Sequence, residues 1–296
     1  PDLDPAFLRL REVDGQLYGY PLGISVASLF YNQEAFRSRN LLPPKTFGQL
    51  AEAARRTTSR SAKGFLFSGD VYSFAALVLA RGGTLAKQGH PAFNHPSAVE
   101  TLVFLQNLQR EGALQVRSAT ELIAAAADFL RTKAFMAVGP SSMLPAVMSR
   151  TELPFRIGLS PLPLEAEGKV AASGSALVVF RQAPPEVRQG IEAFYRHLGE
   201  TERQLGFARG VYYLPLDLKA QEAWSREDVG RLLLGQKERL TPWHQGAPLT
   251  LWASVLEEAL EKALKAGVPA QQALEEAQRK ARAVERRCSM WVMKPL

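Results

Sequence analysis

The sequence predicts a helix-rich α/β protein with few strands, whose chain crosses between two halves more than once. Three observations predict it. Apolar residues recur at helical spacing in most segments, whereas the strand-like stretches are short and scattered. No internal repeat and no low-complexity linker is visible, and no single boundary separates two halves. The chain has 296 residues, 46% of them hydrophobic and 22% charged. That composition is ordinary for a globular protein, and the length suffices for one large domain or two of average size.

The elements follow in order. Residues 1–15 read as a short helical piece and a turn. Residues 18–31 read as extended chain, with alternation through Ile24, Val26 and Leu29-Phe30-Tyr31. Asn32 is placed to cap a helical stretch over 33–39. Leu41-Leu42-Pro43-Pro44-Lys45-Thr46 is a break, and Thr46 caps a helix over 47–57 whose apolar positions are Phe47, Leu50, Ala51 and Ala54. Residues 64–69 suggest a strand and a turn. Residues 72–80 suggest a helix that Arg81-Gly82-Gly83 ends with a left-handed cap. Asn94 or Ser97 opens the next helix, faced by Val99, Leu102, Val103, Leu105 and Leu108 and stopped at Glu111-Gly112.

A helix over 120–131 and a short apolar strand over 134–138 come next. Gly139-Pro140-Ser141-Ser142 then leads into a short helix. Residues 155–162 and 175–180 read as strands separated by a polar turn. Pro184-Pro185 begins a helix with an apolar stripe of Val187, Ile191, Phe194 and Leu198. A loop carries Gly210-Val211-Tyr212-Tyr213-Leu214-Pro215, and helical segments near 219–235, 249–266 and 270–288 complete the chain.

The net charge is +7, which raises the question of anionic partners. The bases are dispersed, and the densest group, Arg279, Lys280, Arg282, Arg286 and Arg287, is interleaved with Ala, Val and Glu as on a solvated helix face. No zinc spacing, glycine-arginine tract or aromatic RNA-binding motif accompanies it. The single cysteine, Cys288, allows neither an intramolecular disulfide nor a CxxC site. No segment approaches the roughly 18 consecutive apolar residues of a membrane helix. Pro1-Asp2-Leu3-Asp4 lacks a start methionine and a signal-peptide pattern, which suggests a removed signal or a fragment. His90, His95, His197 and His244 belong to no HExxH pattern, and His90 and His95 read as a solvated turn. There is no GxSxG elbow, P-loop or GxGxxG. Glu257-Glu258 and Glu275-Glu276 read as surface charge. No cofactor or metal is expected.

Tyr18-Gly19-Tyr20-Pro21-Leu22, Leu29-Phe30-Tyr31-Asn32-Gln33-Glu34-Ala35-Phe36 and Pro43-Pro44-Lys45-Thr46-Phe47 resemble, in this order, motifs of the family 1 extracellular solute-binding proteins. The series continues through Gly82-Gly83, Phe93-Asn94 and Glu111-Gly112, then residues 129–136, where Thr132 stands in place of the family's usual glycine. It extends through Ile157-Gly158, Pro161-Leu162-Pro163, Ser173-Gly174-Ser175-Ala176-Leu177, Phe194 to Gln204, Tyr213-Leu214-Pro215 and Pro269-Ala270-Gln271-Gln272-Ala273-Leu274. Each motif is weak alone; the ordered series spans nearly the whole chain. Gly139-Pro140-Ser141-Ser142, Tyr212-Tyr213-Leu214-Pro215 and Gly246-Ala247-Pro248 resemble the glycerol-3-phosphate-binding branch. That branch places an arginine where Leu251 stands here, so a neutral sugar stays open beside a phosphate ester.

The resemblance implies a periplasmic binding protein type II fold, with two lobes, hinge crossings near 22–25, 138–141 and 180–184, and solute capture in an interlobe cleft. It also implies that the first lobe is incomplete, because only seventeen residues precede the Tyr-Gly-Tyr-Pro strand. Residues 1–30 and 137–183 are then a remnant of lobe one, and 31–136 and 184–296 are lobe two. On this reading the chain as it stands binds solute weakly. The candidate ligand-binding residues are Ser25, Tyr72, Ser141, Ser142, Ser173, Gly174, Tyr213 and Trp243. Tyr212 and Trp252 are further stacking candidates, and Arg239 and His244 are replacements for the missing arginine. For Ser141 and Ser142 a plain helix N-cap is an equal explanation on local grounds. The implied partners are a small polar solute, glycerol phosphate or sugar, and the membrane permease subunits of an ABC importer. A monomer outside the cytoplasmic membrane is expected, with no nucleic acid bound. The alternative is a carbohydrate-acting enzyme with an unrecognised site.

Overall fold

The computed structural model describes residues 2–292 apart from 11, 14, 15, 18, 149–152, 181 and 245–247. The expected start of the extended stretch at Tyr18, and Gly246 and Ala247, lie outside the described residues, as do the side chains of Arg287 and Cys288. The chain forms two compact units. The first comprises Pro1–Ser28, Gly139–Pro154 and Ala171–Pro242; the second comprises Leu29–Val138, Phe155–Val170 and Trp243–Leu296. Three of the passages between them lie inside strands, Ser25–Asn32, Ala134–Pro140 and Val170–Ser173. The chain therefore crosses repeatedly, as its lack of a linker predicts.

The grouping differs from the one set by motif order. Residues 184–242 join 1–28 and 139–154, while 155–170 join 29–138. Backbone pairing and burial supply the reason. Leu214 N donates to Ile24 O at 2.7 Å and Ile24 N to Leu214 O at 3.0 Å, forming an antiparallel bridge. Leu205, Ala208, Leu214, Leu216, Ala220 and Trp224 are buried in the first unit.

In the first unit, Asp4 caps the helix Pro5–Arg9 by accepting from Ala6 N at 3.0 Å. Its carboxylate is buried and meets Lys237 Nζ at 2.5 Å and Gln221 Nε2 at 3.0 Å. Lys237 also lies 5.3 Å from the ring centroid of buried Phe7. Asp2 to Asp4 are thus tied to the segment 216–218, where Asp4 N donates to Leu216 O at 2.8 Å. The expected single helix near 219–235 is two, Leu218–Trp224 and Asp228–Leu234. The break lets Gly230 pack where a Cβ would stand only 2.0 Å from Trp224 O.

The expected strand over 175–180 is limited to Ala176–Leu177, paired with Tyr20–Pro21; Val178, Val179 and Phe180 are exposed. The helix Pro185–Leu198 forms as its spacing predicts. Its Val187 and Phe194 are exposed, and Tyr195 stacks on Tyr20 with centroids 4.8 Å apart. A strand at Val170–Ser173 was not anticipated. Beyond Val170, its Val-Ala-Ala-Ser run lacks the β-branched and aromatic residues that signal strands.

In the second unit, the strand Lys63–Phe67 pairs in parallel with Leu114–Val116 on one side and Ala134–Pro140 on the other. Such strands, covered on both faces, read as continuous apolar runs. The helix Val71–Ala80 is apolar nearly all round and almost wholly buried, as a helix inside a core must be. Asn32, Thr46 and Asp70 act as N-caps, accepting from Ala35 N, Gln49 N and Ser73 N at 2.8, 3.1 and 2.9 Å. His95, read as a solvated turn residue, instead caps Pro96–Arg110, its Nδ1 2.7 Å from Ser97 Oγ. The helices Ala253–Lys265 and Ala270–Val292 pack together, and Lys262 and Lys280 both lie 3.0 Å from Glu276. The two ammonium groups pull the Glu276 carboxyl down to about 2.

Four helices among the described residues of this unit end in the same way, the first at Asn40 (φ +50°), where Leu41 N donates to Phe36 O and Asn40 N to Arg37 O. At Gly82 (φ +75°), Gly83 N donates to Val78 O and Gly82 N to Leu79 O, the paired bonds of a left-handed cap. Gly112 repeats the pattern. Thr132 does too, at φ +55°, with Lys133 N donating to Asp128 O at 2.7 Å and Thr132 N to Phe129 O at 3.1 Å. A β-branched residue is strained in that conformation.

Two outcomes follow from these features. Relief of left-handed strain by Thr132→Gly is worth about 1–2 kcal/mol, and the added chain entropy of glycine offsets about 0.5–1 kcal/mol. Urea unfolding should therefore show a net gain of about 0.5–1 kcal/mol; an unchanged or lower midpoint would contradict the strain. At Asp4, burial acts to raise the carboxyl, but the bonds from Lys237, Gln221 and Ala6 outweigh it and hold the group below its usual range. Its contribution is thus present above the unfolded carboxylate value and is lost as pH falls through the folded one. Asp4→Asn, which leaves Lys237 without its counter-charge, should cost about 3 kcal/mol at neutral pH. The difference from wild type should shrink under acidic conditions in thermal unfolding; a constant difference down to pH 2 would refute the assignment.

Candidate functional site

Six of the eight candidate residues converge in the first unit, around the start of the strand Ser25–Asn32. Ser173 lies opposite Ser25 in antiparallel register, and Gly174 follows it. Ser141 N donates to Val26 O at 2.8 Å, bringing in the chain that follows Gly139-Pro140. The Ile24–Leu214 bridge brings in Tyr213. The meeting of these segments is decided by backbone pairing over separations of more than 110 residues, which local sequence does not reveal.

The three hydroxyls interlock. Ser25 Oγ donates to Ser142 Oγ at 3.0 Å and accepts from Ser142 N at 3.2 Å. Ser141 Oγ donates to Tyr212 O at 2.7 Å and accepts from Val26 N at 3.2 Å. Ser25 Oγ and Ser141 Oγ lie 3.3 Å apart. Ser25 and Ser141 are buried, whereas Ser142, Ser173, Gly174 and Tyr213 are half-buried. The Ser173 hydroxyl is directed to Ser25 O at 3.5 Å, at the limit of a hydrogen bond.

Gly174 has φ +139° and Gly23 has φ +144°. A Cβ on Gly23 would stand 2.9 Å from Leu214 O and 3.0 Å from Tyr213 Cβ, so only glycine lets Tyr213 pass this close to the backbone. The Tyr213 ring meets Phe207 edge to face, with centroids 5.6 Å apart. Gly23 was not singled out from the sequence; its signal was a glycine just before a strand, which often marks close backbone approach.

The other two candidates, Tyr72 and Trp243, meet in the second unit, edge to face at 5.8 Å, and His244 lies edge to face with Trp243 at 6.0 Å. Glu257 is close by in that unit. It accepts from Val71 N at 3.1 Å, and burial raises its carboxyl, with Asp70 adding repulsion. Its reading as surface charge is thus corrected: the residue lies half-buried at the helix start that carries Tyr72. Trp252, a stacking candidate, is fully buried against Phe93 at 6.1 Å and serves the core. Leu251 is exposed at the place of the expected arginine, and Arg239 sits in the short turn Lys237–Arg239 of the first unit.

A groove of about 400 Å³ in the second unit is lined by Gly69, Ser118, Glu257, Glu261 and Lys265, among others, and its Lys265 pairs with Glu261 at 2.9 Å. Among the described residues no group of three or more His, Cys, Asp or Glu side chains is arranged to hold a metal ion. No helix of the described residues is long and apolar enough to cross a membrane.

The arrangement can offer hydroxyls, backbone groups and aromatic faces to a small polar molecule, and known proteins share its frame. The sn-glycerol-3-phosphate-binding periplasmic protein UgpB of Pectobacterium atrosepticum is 23% identical over 229 residues, covering 72% of this chain and 51% of that protein. Its counterpart in Brucella abortus is 26% identical over 231 residues, covering 73% and 52%. The chain thus spans about half the length of the curated relatives it matches.

Among solved structures, Mycobacterium tuberculosis UgpB in complex with glycerophosphocholine superposes with a TM-score of 0.82 at 16% identity, covering 97% of this chain and 75% of that one. The sugar-binding protein MalE of Xanthomonas citri gives 0.81 at 17% identity, covering 99% and 77%. These superpositions show that the chain has the α/β fold of the periplasmic binding proteins. The family model described as bacterial extracellular solute-binding protein matches residues 1–230. With most of its length matched in this way, the chain belongs to the bacterial extracellular solute-binding protein family.

Proposed function

We propose that this protein is the solute-capturing component of an ABC importer, binding a small polar solute outside the cytoplasmic membrane and delivering it to permease subunits. The observation that carries the proposal is the convergence of Ser25, Ser141, Ser142, Ser173, Gly174 and Tyr213 at one strand start in the first unit. Hydroxyls held by backbone bonds, a glycine at φ +139° and a ring in edge-to-face contact with Phe207 suit a ligand rich in oxygen atoms. In the second unit the Tyr72–Trp243 pair offers aromatic faces of the kind that stack on a sugar or a choline group.

The solute is a glycerol phosphate ester or a saccharide. UgpB relatives that bind glycerol 3-phosphate and structural neighbours that bind sugars support both. Leu251, where the glycerol-3-phosphate branch has arginine, favours a neutral sugar or an ester with a shielded charge. Binding proceeds without turnover, as a monomer and without nucleic acid.

Calorimetry of the chain against sn-glycerol 3-phosphate, glycerophosphocholine and maltose should give a heat of binding with at least one. Silence across the panel at millimolar ligand would overturn the proposal, and sustained hydrolysis of any member would replace it with an enzymatic one. Ser142→Ala should weaken the positive case about 5–10-fold, the loss of one hydrogen bond of about 1 kcal/mol. Unchanged affinity in that variant would move the site elsewhere.

A further inference from the structure

Three serine hydroxyls carry three protons, and the geometry commits two of them. The Ser25 proton goes to Ser142 Oγ at 3.0 Å and the Ser141 proton to Tyr212 O at 2.7 Å. Among the described residues the Ser142 proton has no such assignment, and Ser142 is the least buried of the three. Ser141, fully buried, also accepts from Val26 N at 3.2 Å, so its donor and one acceptor position are in use. It is therefore poorly placed to touch a solute.

Its partner is unusual. Tyr212 ends the helix Thr201–Val211 with φ 52° and ψ 40°, a left-handed conformation that side chains larger than glycine adopt at a steric cost. That conformation turns the Tyr212 carbonyl to Ser141 and sends the chain on so that Tyr213 passes over Gly23 and Leu214 bridges to Ile24. A left-handed residue other than glycine persists where its surroundings over-determine it. Here they comprise the bond from Tyr212 N to Ala208 O at 2.8 Å, the Leu214 bridge and the Ser141 hydroxyl.

We infer that Ser141 is a positioning residue: its buried hydroxyl holds Tyr212 left-handed and thereby sets the direction of Tyr213, while Ser142 is the hydroxyl that faces the solute as a donor. The inference rests on the proposed solute wall for its consequence, but its structural half stands apart from any ligand. An acceptor atom on the solute, a sugar hydroxyl or an ester oxygen, is the chemistry that Ser142 would meet.

The test is a double-mutant cycle of Ser141→Ala and Tyr212→Gly, read by thermal unfolding, by hydrogen exchange at the Leu214 amide, and by affinity for whichever panel member, sn-glycerol 3-phosphate, glycerophosphocholine or maltose, binds wild type. Glycine enters the left-handed region freely, so at position 212 it no longer needs the hydroxyl to hold the turn. Ser141→Ala alone should lower Tm by about 2–4 °C, the shift of a hydrogen bond lost in a protein of this size, and speed exchange at Leu214. In the Tyr212→Gly background its effect on Tm should fall by about half.

The affinity lost in Ser141→Ala should be largely regained in the double variant, which a merely destabilising change would not produce. Ser142→Ala, which leaves the Ser25 hydroxyl an alternative acceptor in Ser141 Oγ at 3.3 Å, should lower Tm less than Ser141→Ala does while weakening binding. Strict additivity of the two Tm shifts, or unchanged Leu214 exchange in Ser141→Ala, would overturn the inference. If wild type binds no panel member, the proposed function fails, and the Tm cycle with exchange still decides the role of Ser141. Should Ser141→Ala fail to fold, Ser141→Cys, similar in size with a weak donor, carries the same cycle.

Discussion

A single buried hydroxyl joins three distant parts of the first unit. Ser141 Oγ receives Val26 N and donates to Tyr212 O, and its own N–H pairs with Val26 O. A buried polar atom left unpaired costs more than a paired one gains, so this geometry is strongly selected over near alternatives. Around it, the strand start at Ser25, the turn after Pro140 and the end of the helix Thr201–Val211 have fixed separations. The convergence of Ser142, Ser173 and Tyr213 depends on that point more than on any property of their own.

The charges of the molecule fall into two kinds with different weight. Pairs such as Arg196–Glu192 and Arg226–Glu222, one helical turn apart and exposed, belong to a solvated surface and contribute little to stability. They also account for part of the basic composition without invoking a polyanionic partner. Asp4 with Lys237 is different. The carboxylate is buried, its remaining capacity is taken by Gln221 and Ala6, and the pair fastens the first residues of the chain to the end of a distant segment. Removing either partner strands the other in a poorly hydrated place.

Helix ends were the most legible feature of the chain. Asn32 and Thr46 were read as caps because a short side-chain oxygen before an apolar periodic run satisfies a free backbone N–H, and both do so. Gly82 and Gly112 were read as stops for the complementary reason, and both lie at positive φ. His95 escaped because an imidazole is an infrequent cap, and Val170–Ser173 because small residues carry little strand signal. The overextended strand at 175–180 shows the converse: Val178, Val179 and Phe180 have strand-forming side chains, yet pairing stops at Leu177.

By itself, the sequence determined the local devices: the caps, the apolar stripes, the glycines at the left-handed stops Gly82 and Gly112, and an ordered series of motifs that identifies the family. These are decided within a few residues, by hydrogen bonds and φ preferences that the local sequence carries. Only the tertiary structure decided which serines meet, that Ser141 serves Tyr212 rather than facing outward, that Gly23 makes room for Tyr213, and that 184–242 pack with the first residues of the chain. Those outcomes rest on backbone pairing across separations of roughly a hundred residues and more, where many registers share the same local propensities and only the complete set of buried contacts chooses among them.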